Sequence, residues 1–251
     1  MTEPVAVPGL RAVAALFQHA PARLIEVLVS QQPGGPRQAL VDQLAARGIR
    51  ITRTAPARLD ALAGEAAHQG IIALAEPAPL VEWASLLQPD ALILALDQVT
   101  DPRNFGAMLR CLEAFGGTGA LITRDRCARP GPAVTKTSAG ASELLPIALE
   151  TNLVRALRVG QDAGLQVVVA DMDGDPPSAV EWHRPTILVM GAEGQGIRRL
   201  TREAADRVVT IPMVGETASL NVAVAAGILL HAAASARALV LQSAKKEIAR
   251  A

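Results

Sequence analysis

Short apolar runs alternate with helical patterns along the first 76 residues. The strand-like runs LIEVLVS and IIALAE are interleaved with amphipathic segments such as GLRAVAALFQ and PRQALVDQLAARG. This alternation predicts a small α/β domain over residues 1–76. The proline-marked stretch EPAPLVEWASLLQP follows, and it indicates a linker at residues 77–89.

Residues 90–251 begin with ALILALD, a continuous apolar run of the kind found in strands buried on both faces of a parallel sheet. The next segment, NFGAMLRCLEAF, has the apolar spacing of one helix face. The strand patterns GALIT, LQVVVADM, TILVMG and VVTIP then alternate with helical ones, and an Ala-rich helix follows from about Asn221. The second domain is therefore predicted to be α/β, with a mostly parallel sheet and helices on both faces.

Ligands bind such sheets at loops beyond the carboxyl ends of the strands, and three strands here lead into suggestive loops. DQVTDPRNFG follows ALILALD, GAEGQG follows TILVMG, and MVGETASLN follows VVTIP. Asn104 and Arg110 lie six positions apart, so both reach one pocket only if it wraps around the start of their helix. GAEGQG sets three glycines around Glu193, which permits close approach of a ligand, although a plain strand-to-helix turn has a similar composition.

Ser219 and Asn221 precede the last helix, where Ser and Asn are favoured capping residues. Their side-chain oxygens would satisfy backbone N–H groups that have no partner inside the helix. The loop around them is polar and rich in small residues, which favours a role in a site. The pattern leaves both interpretations open.

Several common site motifs are missing from these loops. ALILALD is not followed by GxGxxG, which excludes the ordinary dinucleotide fold, and the chain has no GxxxxGK(S/T) phosphate loop. Ser219 lies in ASLN and not in the GxSxG of a hydrolase. What remains is a pocket at the sheet end with glycines, amides, one arginine and one glutamate.

The amino-acid composition indicates how the protein could contact a nucleic acid. The net charge is zero, Tyr is absent, and the chain has only three Phe and two Trp, so a base-stacking platform is not expected. Between residues 103 and 136, however, there are six basic residues and two acidic ones, and all but one of the basic residues are arginine, which can grip phosphate with a two-pronged fork. If RNA binds, contacts to phosphates and to RNA shape should dominate.

The number of cysteines and the hydropathy of the chain indicate the cellular compartment of the protein. The two cysteines, Cys111 and Cys127, are too few for a disulfide framework and lack the spacing of a zinc site. The start, MTEPVAVPGLRAVAALF, lacks the basic segment and cleavage site of a secretory signal, and no run reaches the roughly 18 apolar residues of a membrane span. We therefore expect a cytoplasmic protein with no membrane partner.

Three segments carry a resemblance to a known family. NFGAMLR, LVMGAEGQGI and IPMVGETASLNVAVAAG resemble, in order and spacing, the three motifs of the SpoU/TrmH-type RNA 2′-O-ribose methyltransferases of the SPOUT superfamily. GAEGQGIRRLTRE is most similar to the bacterial subgroup that methylates a guanosine of 23S rRNA. GLRAVAAL and HQGIIA resemble the small RNA-binding domain, similar to ribosomal protein L30, that precedes the catalytic domain in many members.

The resemblance implies a SPOUT methyltransferase domain with a trefoil knot, S-adenosylmethionine as cofactor, no metal, and a homodimer whose active site is shared across the interface. It implies a polar active-site set: Asn104, Arg110, Glu193, Ser219 and Asn221. It also implies a cofactor cradle: Gly191, Glu193, Ile211, Met213 and Leu220. The Arg-rich stretch adds candidates for RNA contact: Arg103, Arg124, Arg126, Arg129 and Lys136. Two positions depart from the family pattern, because Arg11 replaces a frequent histidine and Ala223 a frequent serine.

The implied reaction is direct attack of a ribose 2′-hydroxyl on the methyl carbon of S-adenosylmethionine. A guanidinium is effectively always protonated, so we expect Arg110 to grip the phosphate of the target nucleotide, and Glu193 or a phosphate oxygen to receive the proton. The target is expected to be a guanosine of 23S rRNA, since the first domain favours rRNA over tRNA. A tRNA 2′-O-methyltransferase and a non-catalytic RNA-binding or ribosome-assembly factor are the alternatives.

Overall fold

The first domain of the computed structural model has one small mixed sheet. The structure describes residues 3–31, 35–64, 67–217 and 219–248. The elements of this domain, in chain order, are β1 Val5–Pro8, α1 Leu10–His19, β2 Leu24–Ser30, α2 Pro36–Ala46, β3 Ile51–Thr54, α3 Pro56–Ala63 and β4 Ile71–Ala75. The strand order is β1-β4-β2-β3, with β4 antiparallel to both of its neighbours. Helices α1 and α2 pack on one face and α3 on the other, which confirms the predicted α/β unit.

The second domain is built on a six-stranded sheet in which every strand pair is parallel. Its strands are β5 Leu92–Asp97, β6 Gly119–Thr123, β7 Ile147–Glu150, β8 Gln166–Asp175, β9 Thr186–Gly191 and β10 Arg207–Val209. Its helices are α4 Pro102–Ala114, α5 Pro132–Thr137, α6 Leu153–Asp162, α7 Arg199–Glu203 and α8 Val222–Ile248. The strand order is β10-β8-β9-β5-β6-β7, so β5 lies inside the sheet.

Strand β5 is buried along its whole length, as the apolar run ALILALD predicts. Side chains on one face, including Leu94 and Leu96, join a core formed with α4 and α8. Side chains on the other face, including Ile93, join a core formed with α6. The sheet is therefore covered by helices on both faces, as expected.

Helix α4 begins two residues before the start suggested by its apolar spacing. The Asp101 side chain accepts a hydrogen bond from the backbone N–H of Arg103 at 2.8 Å, and Pro102 occupies the first helical position. An acidic cap followed by proline is a strong start signal, because it satisfies one free N–H and removes another. The early start places Asn104 inside the first turn, where it is buried.

Helix α8 contains the segment Val222–Val240, which has the length and composition of a membrane span and is the one such helix among the described residues. One face of this helix is nevertheless buried in the domain core, through residues such as Leu229 and Ala233. Arg237 donates hydrogen bonds to four backbone carbonyls at the amino ends of β5 and β9, at 2.7 to 2.9 Å. Burial lowers the pKa of Arg237, and these carbonyls replace the water that the guanidinium loses. Helix α8 is therefore held against the sheet by its buried apolar face and by the hydrogen bonds of Arg237.

The two domains meet at a buried ion pair. Arg23 of the first domain binds the Glu143 carboxylate and also donates to the Glu143 backbone carbonyl at 3.0 Å. The same carboxylate accepts hydrogen bonds from the N–H of Ala78, in the connecting segment, at 2.9 Å and from the hydroxyl of Thr135 at 2.7 Å. One side chain thus ties both domains and the segment between them. The later part of that segment packs on the second sheet, where Trp83 is buried.

Candidate active site

A cavity of about 850 Å³ opens at the carboxyl ends of β8, β9 and β10, the edge at which parallel sheets bind ligands. Its walls come from the loop after β9, from residues 209–213 and from residues 219–222 at the start of α8. The rear wall is apolar and includes Met190, Val209 and Leu229. The cavity therefore lies where two of the three suggestive loops meet.

Asn221 joins the three sequence motifs at the mouth of this cavity. Its Nδ2 donates to Oδ1 of Asn104 at 3.0 Å and to Oε1 of Glu193. Its Oδ1 accepts hydrogen bonds from the backbone N–H groups of Ala223 at 2.9 Å and Val224 at 3.3 Å, which caps α8. The capping interpretation is confirmed for Asn221, because its oxygen caps α8, and its amine contacts the two other polar residues predicted for the site.

The loop after β9 is folded back tightly on itself. Ala192 and Gly196 exchange backbone hydrogen bonds of 3.2 and 2.9 Å, and Gly194 and Gly196 have φ angles of 78° and 66°. A Cβ atom on Gly191 would lie 2.7 Å from the backbone nitrogen of Ile197, so only glycine fits there. The tight turn holds Glu193 at the cavity.

An ion pair between a buried carboxylate and a half-exposed arginine, which the sequence motifs do not include, fixes the far end of the same loop. Asp97, the last residue of β5, is completely buried. Its carboxylate accepts hydrogen bonds from the backbone N–H and from Nε of Arg198, at 3.0 and 2.6 Å. An acidic residue at the end of an otherwise apolar strand was the available signal, since a buried carboxylate needs a partner.

The residues assigned to the cofactor cradle all line the cavity: Gly191, Glu193, Ile211, Met213 and Leu220. Within the described chain, the backbone N–H groups of Ile211, Met213 and Leu220 make no hydrogen bond to protein, so they are free to pair with a ligand. Exposed amides beside an apolar wall suit an adenine ring, and the Glu193 carboxylate suits a cationic sulfonium or ammonium group. The donor set therefore fits S-adenosylmethionine.

The cavity edge also carries a second carboxylate. Asp171, in the middle of β8, lines the cavity and forms an ion pair with Arg202 of α7. Hydrogen bonds from Arg202 to Asp171 and then to Asp173 raise the pKa of the Arg202 guanidinium. These contacts tie α7 to the β8 edge of the cavity.

Ser219 and Arg110 differ in their position. Ser219 is exposed and lines the cavity beside Leu220. Arg110 is exposed on α4 and is not among the residues that line the cavity of its own chain. Burial raises the pKa of the adjacent Cys111 thiol, and the positive charge of Arg110 partly opposes that shift.

The five candidates for RNA contact lie on three separate surfaces. Arg103 is exposed on the first turn of α4. Arg124, Arg126 and Arg129 lie together on the connection after β6, where Arg129 donates to the Arg124 carbonyl. Lys136 is at the domain junction, where its aliphatic chain passes over Gly64 so closely that a Cβ on Gly64 would overlap it.

Two family models match the chain. The SpoU rRNA methylase family model matches residues 91–231. The model described as RNA 2′-O ribose methyltransferase substrate binding matches residues 6–81. The first match covers the six-stranded sheet and the cavity, and the second covers the small mixed sheet.

Curated relatives and a solved structure agree with these matches. A protein of Mycolicibacterium gilvum named as an uncharacterized tRNA/rRNA methyltransferase is 44% identical over 206 residues, which cover 79% of this chain but only 66% of that relative. The 23S rRNA (guanosine-2′-O-)-methyltransferase RlmB of Photobacterium profundum is 40% identical over 238 residues, which cover 91% of this chain and 96% of that relative. The SpoU methyltransferase AviRb from Streptomyces viridochromogenes, solved with AdoMet, has the same fold, with a TM-score of 0.73 at 23% identity over 94% of this chain and 91% of that one.

Proposed function

Because the chain belongs to the SpoU rRNA methylase family, we propose that it transfers a methyl group from S-adenosylmethionine to a ribose 2′-hydroxyl of RNA. The junction of Asn221 with Asn104 and Glu193 carries this proposal, because it joins polar groups from three loops at the mouth of a cavity suited to the cofactor. Residues 90–251 hold this site, and residues 1–76 bind the RNA.

The proposed substrate is a guanosine of 23S rRNA. The relative from Photobacterium profundum carries that activity in its name and aligns over 91% of this chain. The relative from Mycolicibacterium gilvum is named for both tRNA and rRNA, so tRNA remains the second candidate. The presence of a first domain that matches the substrate-binding model favours the larger RNA.

The bound cofactor supplies an electrophilic methyl group, so the protein must align the 2′-hydroxyl and remove its proton. Backbone groups of Gly191, Ile211, Met213 and Leu220 hold the cofactor. Glu193 is the proposed proton acceptor, and the Asn221 amine fixes the position of its carboxylate. A phosphate oxygen of the RNA is the alternative acceptor.

Further polar groups complete the proposed site. Asn104 is buried behind Asn221 and holds that amide in place, while Ser219 is exposed at the cavity and reaches the substrate. Arg110 is a permanent cation, so it grips the phosphate of the target nucleotide and does not act as the base. The nearby positive charge also biases the 2′-hydroxyl toward the alkoxide, the form that attacks the methyl carbon.

We also propose that the protein acts as a homodimer through α8. Val224, Ile228 and Leu239 are exposed by 52, 40 and 64%, and their spacing puts them along one side of the helix. An exposed apolar stripe of this kind marks an interface. Arg110 is outside the cavity of its own chain, and we assign it to the cavity of the partner. Each active site then needs both protomers.

The family also implies a trefoil knot and a cytoplasmic location, which we include in the proposal. Residues 209–213 and 219–222, which lie from the end of β10 to the start of α8, line one cavity with residues of β8 and β9, and α8 packs against α4. The ion pair between Asp97 and Arg198 fixes the β9 loop, next to which the knotted segment would lie. The rRNA target is in the cytoplasm.

Mapping of 2′-O-methyl groups in RNA from cells that lack the gene tests this function. We expect one guanosine mark to disappear from 23S rRNA and to return when the wild-type gene is supplied, but not when Glu193→Gln is supplied. Loss of a tRNA mark would favour the second candidate. If every mark persisted, the non-catalytic RNA-binding factor would be the better account.

A further inference from the structure

A second cavity, of about 650 Å³, lies at the carboxyl ends of β5, β6 and β7, on the side of α6 and α7. It is bounded by Gln98 after β5, by the start of α6 and by α7. Its lining has an unusual share of arginine: Arg126, Arg155, Arg158, Arg198 and Arg199. The carboxylates in the lining are Asp125 and Glu203.

Two of these arginines are neutralised by close partners. Arg198 binds the buried carboxylate of Asp97, and Arg199 pairs with Glu203 one helical turn away. In the described part of the chain, the other three form no ion pair: Arg126, Arg155 and Arg158. Because the whole chain has no net charge, this is a local excess of positive charge.

The position of Arg155 is unfavourable without an anion. The Asn152 side chain caps α6 by accepting the backbone N–H of Arg155 at 3.0 Å, and the first turn of α6 has no acidic residue. The positive end of a helix favours anions and disfavours cations. Arg155 nevertheless lies in the first turn, and Arg158, three positions later, shares its face of the helix. A bound phosphate would interact favourably with both side chains and with the helix end.

The cavity also has an apolar surface and adjoins the active site. Leu200 lines it and is 57% exposed, which offers a contact for a base or a ribose. Gln98, in a left-handed conformation with φ of 64°, begins the loop that leads to α4 and Asn104. The segment 191–198 has Glu193 on the first cavity and Arg198 on the second. An RNA strand at the first cavity would therefore pass close to the second.

We propose that the second cavity binds the phosphodiester backbone of the substrate RNA beside the target nucleotide. This inference rests on the proposed function. The phosphates interact with Arg126, Arg155 and Arg158, and a neighbouring base or ribose packs on Leu200. Such contacts position the RNA without reading its sequence. The chemistry recognised is a phosphate diester, so free inorganic phosphate is the competing source.

The test measures binding of a 23S rRNA transcript to the full chain at several salt concentrations. The double variant Arg155→Ala/Arg158→Ala is compared with Arg184→Ala/Arg207→Ala, which removes the same charge at the amino ends of β9 and β10. We expect the first variant to raise Kd at least about tenfold and to lower the salt slope by about one to two, because each phosphate contact contributes roughly 0.7–0.9 to it. The control should stay within about twofold of the wild type.

Calorimetric binding of S-adenosylmethionine shows that each variant is folded and separates the two proposals. If the wild type methylates RNA but Arg155→Ala/Arg158→Ala binds RNA like the control, the second cavity is not an RNA site and the proposed function stands. If the wild type binds RNA but neither binds the cofactor nor methylates, the proposed function fails while the cavity assignment is judged by the same Kd comparison. Saturable binding of inorganic phosphate that is lost in the variant, with RNA affinity unchanged, would also overturn the inference. A wild type that binds no RNA would overturn both.

Discussion

The side-chain amine of Asn221 lies 3.0 Å from Oδ1 of Asn104, although 117 positions separate the two residues in the sequence. The same amine also binds Glu193, while the Asn221 oxygen caps α8. Stability of the last helix and geometry of the proposed site therefore depend on one side chain, which makes it possible to separate the two roles by substitution.

Asn221→Asp should preserve the helix and damage the site. Asp caps a helix as well as Asn does, so we expect the free energy of unfolding to change by less than about 1 kcal/mol. A carboxylate cannot donate to Asn104 and repels Glu193, so we expect methyl transfer to fall at least tenfold. Asn221→Ala is the matched variant, and it should lose about 1 kcal/mol from the cap in addition. Denaturant unfolding and methyl transfer measure the two effects, and equal losses of stability in both variants would contradict the division of roles.

Arg198 and Arg199 are neighbours, but replacing each of them with alanine should lower the free energy of unfolding by very different amounts. The Arg198 side chain is 47% exposed but its partner Asp97 is fully buried, so Arg198→Ala leaves a buried carboxylate with less compensation, and we expect a loss of about 2 kcal/mol. The Arg199–Glu203 pair has side chains exposed by 75% and 54%, so Arg199→Ala should cost less than about 0.5 kcal/mol. Urea unfolding of both variants provides the measurement. Equal losses of stability would mean that the Asp97–Arg198 pair does not fix the β9 loop.

Gly191→Ala should weaken cofactor binding strongly, because the added Cβ would lie 2.7 Å from the nitrogen of Ile197 and force the loop that holds Glu193 to move. Gly131→Ala is the control, since a Cβ there meets nothing within 4 Å and its φ of 166° is ordinary extended backbone. We expect calorimetry to show at least a hundredfold weaker cofactor binding for the first variant and less than a twofold change for the second. Wild-type affinity in Gly191→Ala would show that the loop can relax.

Mixing two inactive proteins tests the assignment of Arg110 to the cavity of the partner. Random exchange of protomers between Arg110→Ala and Glu193→Gln makes about half of the dimers mixed, and each mixed dimer then holds one complete site. We therefore expect about a quarter of the wild-type methyl transfer to return after exchange. No recovery, with mixed dimers verified by mass spectrometry, would place Arg110 in the site of its own chain or outside the reaction.

Local patterns predicted the elements and the class of fold because each pattern depends on near neighbours in the sequence. ALILALD is the buried strand β5, and the Ala-rich segment is α8. Asn221 caps α8, as the position of an asparagine before a helical pattern predicts. The start of α4 was predicted two residues late because apolar spacing does not report the Asp101 cap.

Local sequence patterns do not predict which residues contact each other across the fold. Asp97 and Arg198 are 101 positions apart, and Arg23 and Glu143 are 120 apart, so neither ion pair has a signature in spacing. Exposure likewise depends on the whole fold, which is why the sequence could not show that Arg110 is outside the cavity of its own chain. The roles of the five polar site residues and of the cofactor cradle remain predictions.

Methylation of unmodified 23S rRNA by the purified protein tests the central claim most directly. The transcript is incubated with S-adenosylmethionine and protein, digested to nucleosides and analysed by mass spectrometry. We expect 2′-O-methylguanosine to form with the wild type and to fall at least a hundredfold with Glu193→Gln, which is nearly isosteric. Absence of any 2′-O-methylated nucleoside with a protein that binds both RNA and cofactor, or methylation on a base, would contradict the proposed function.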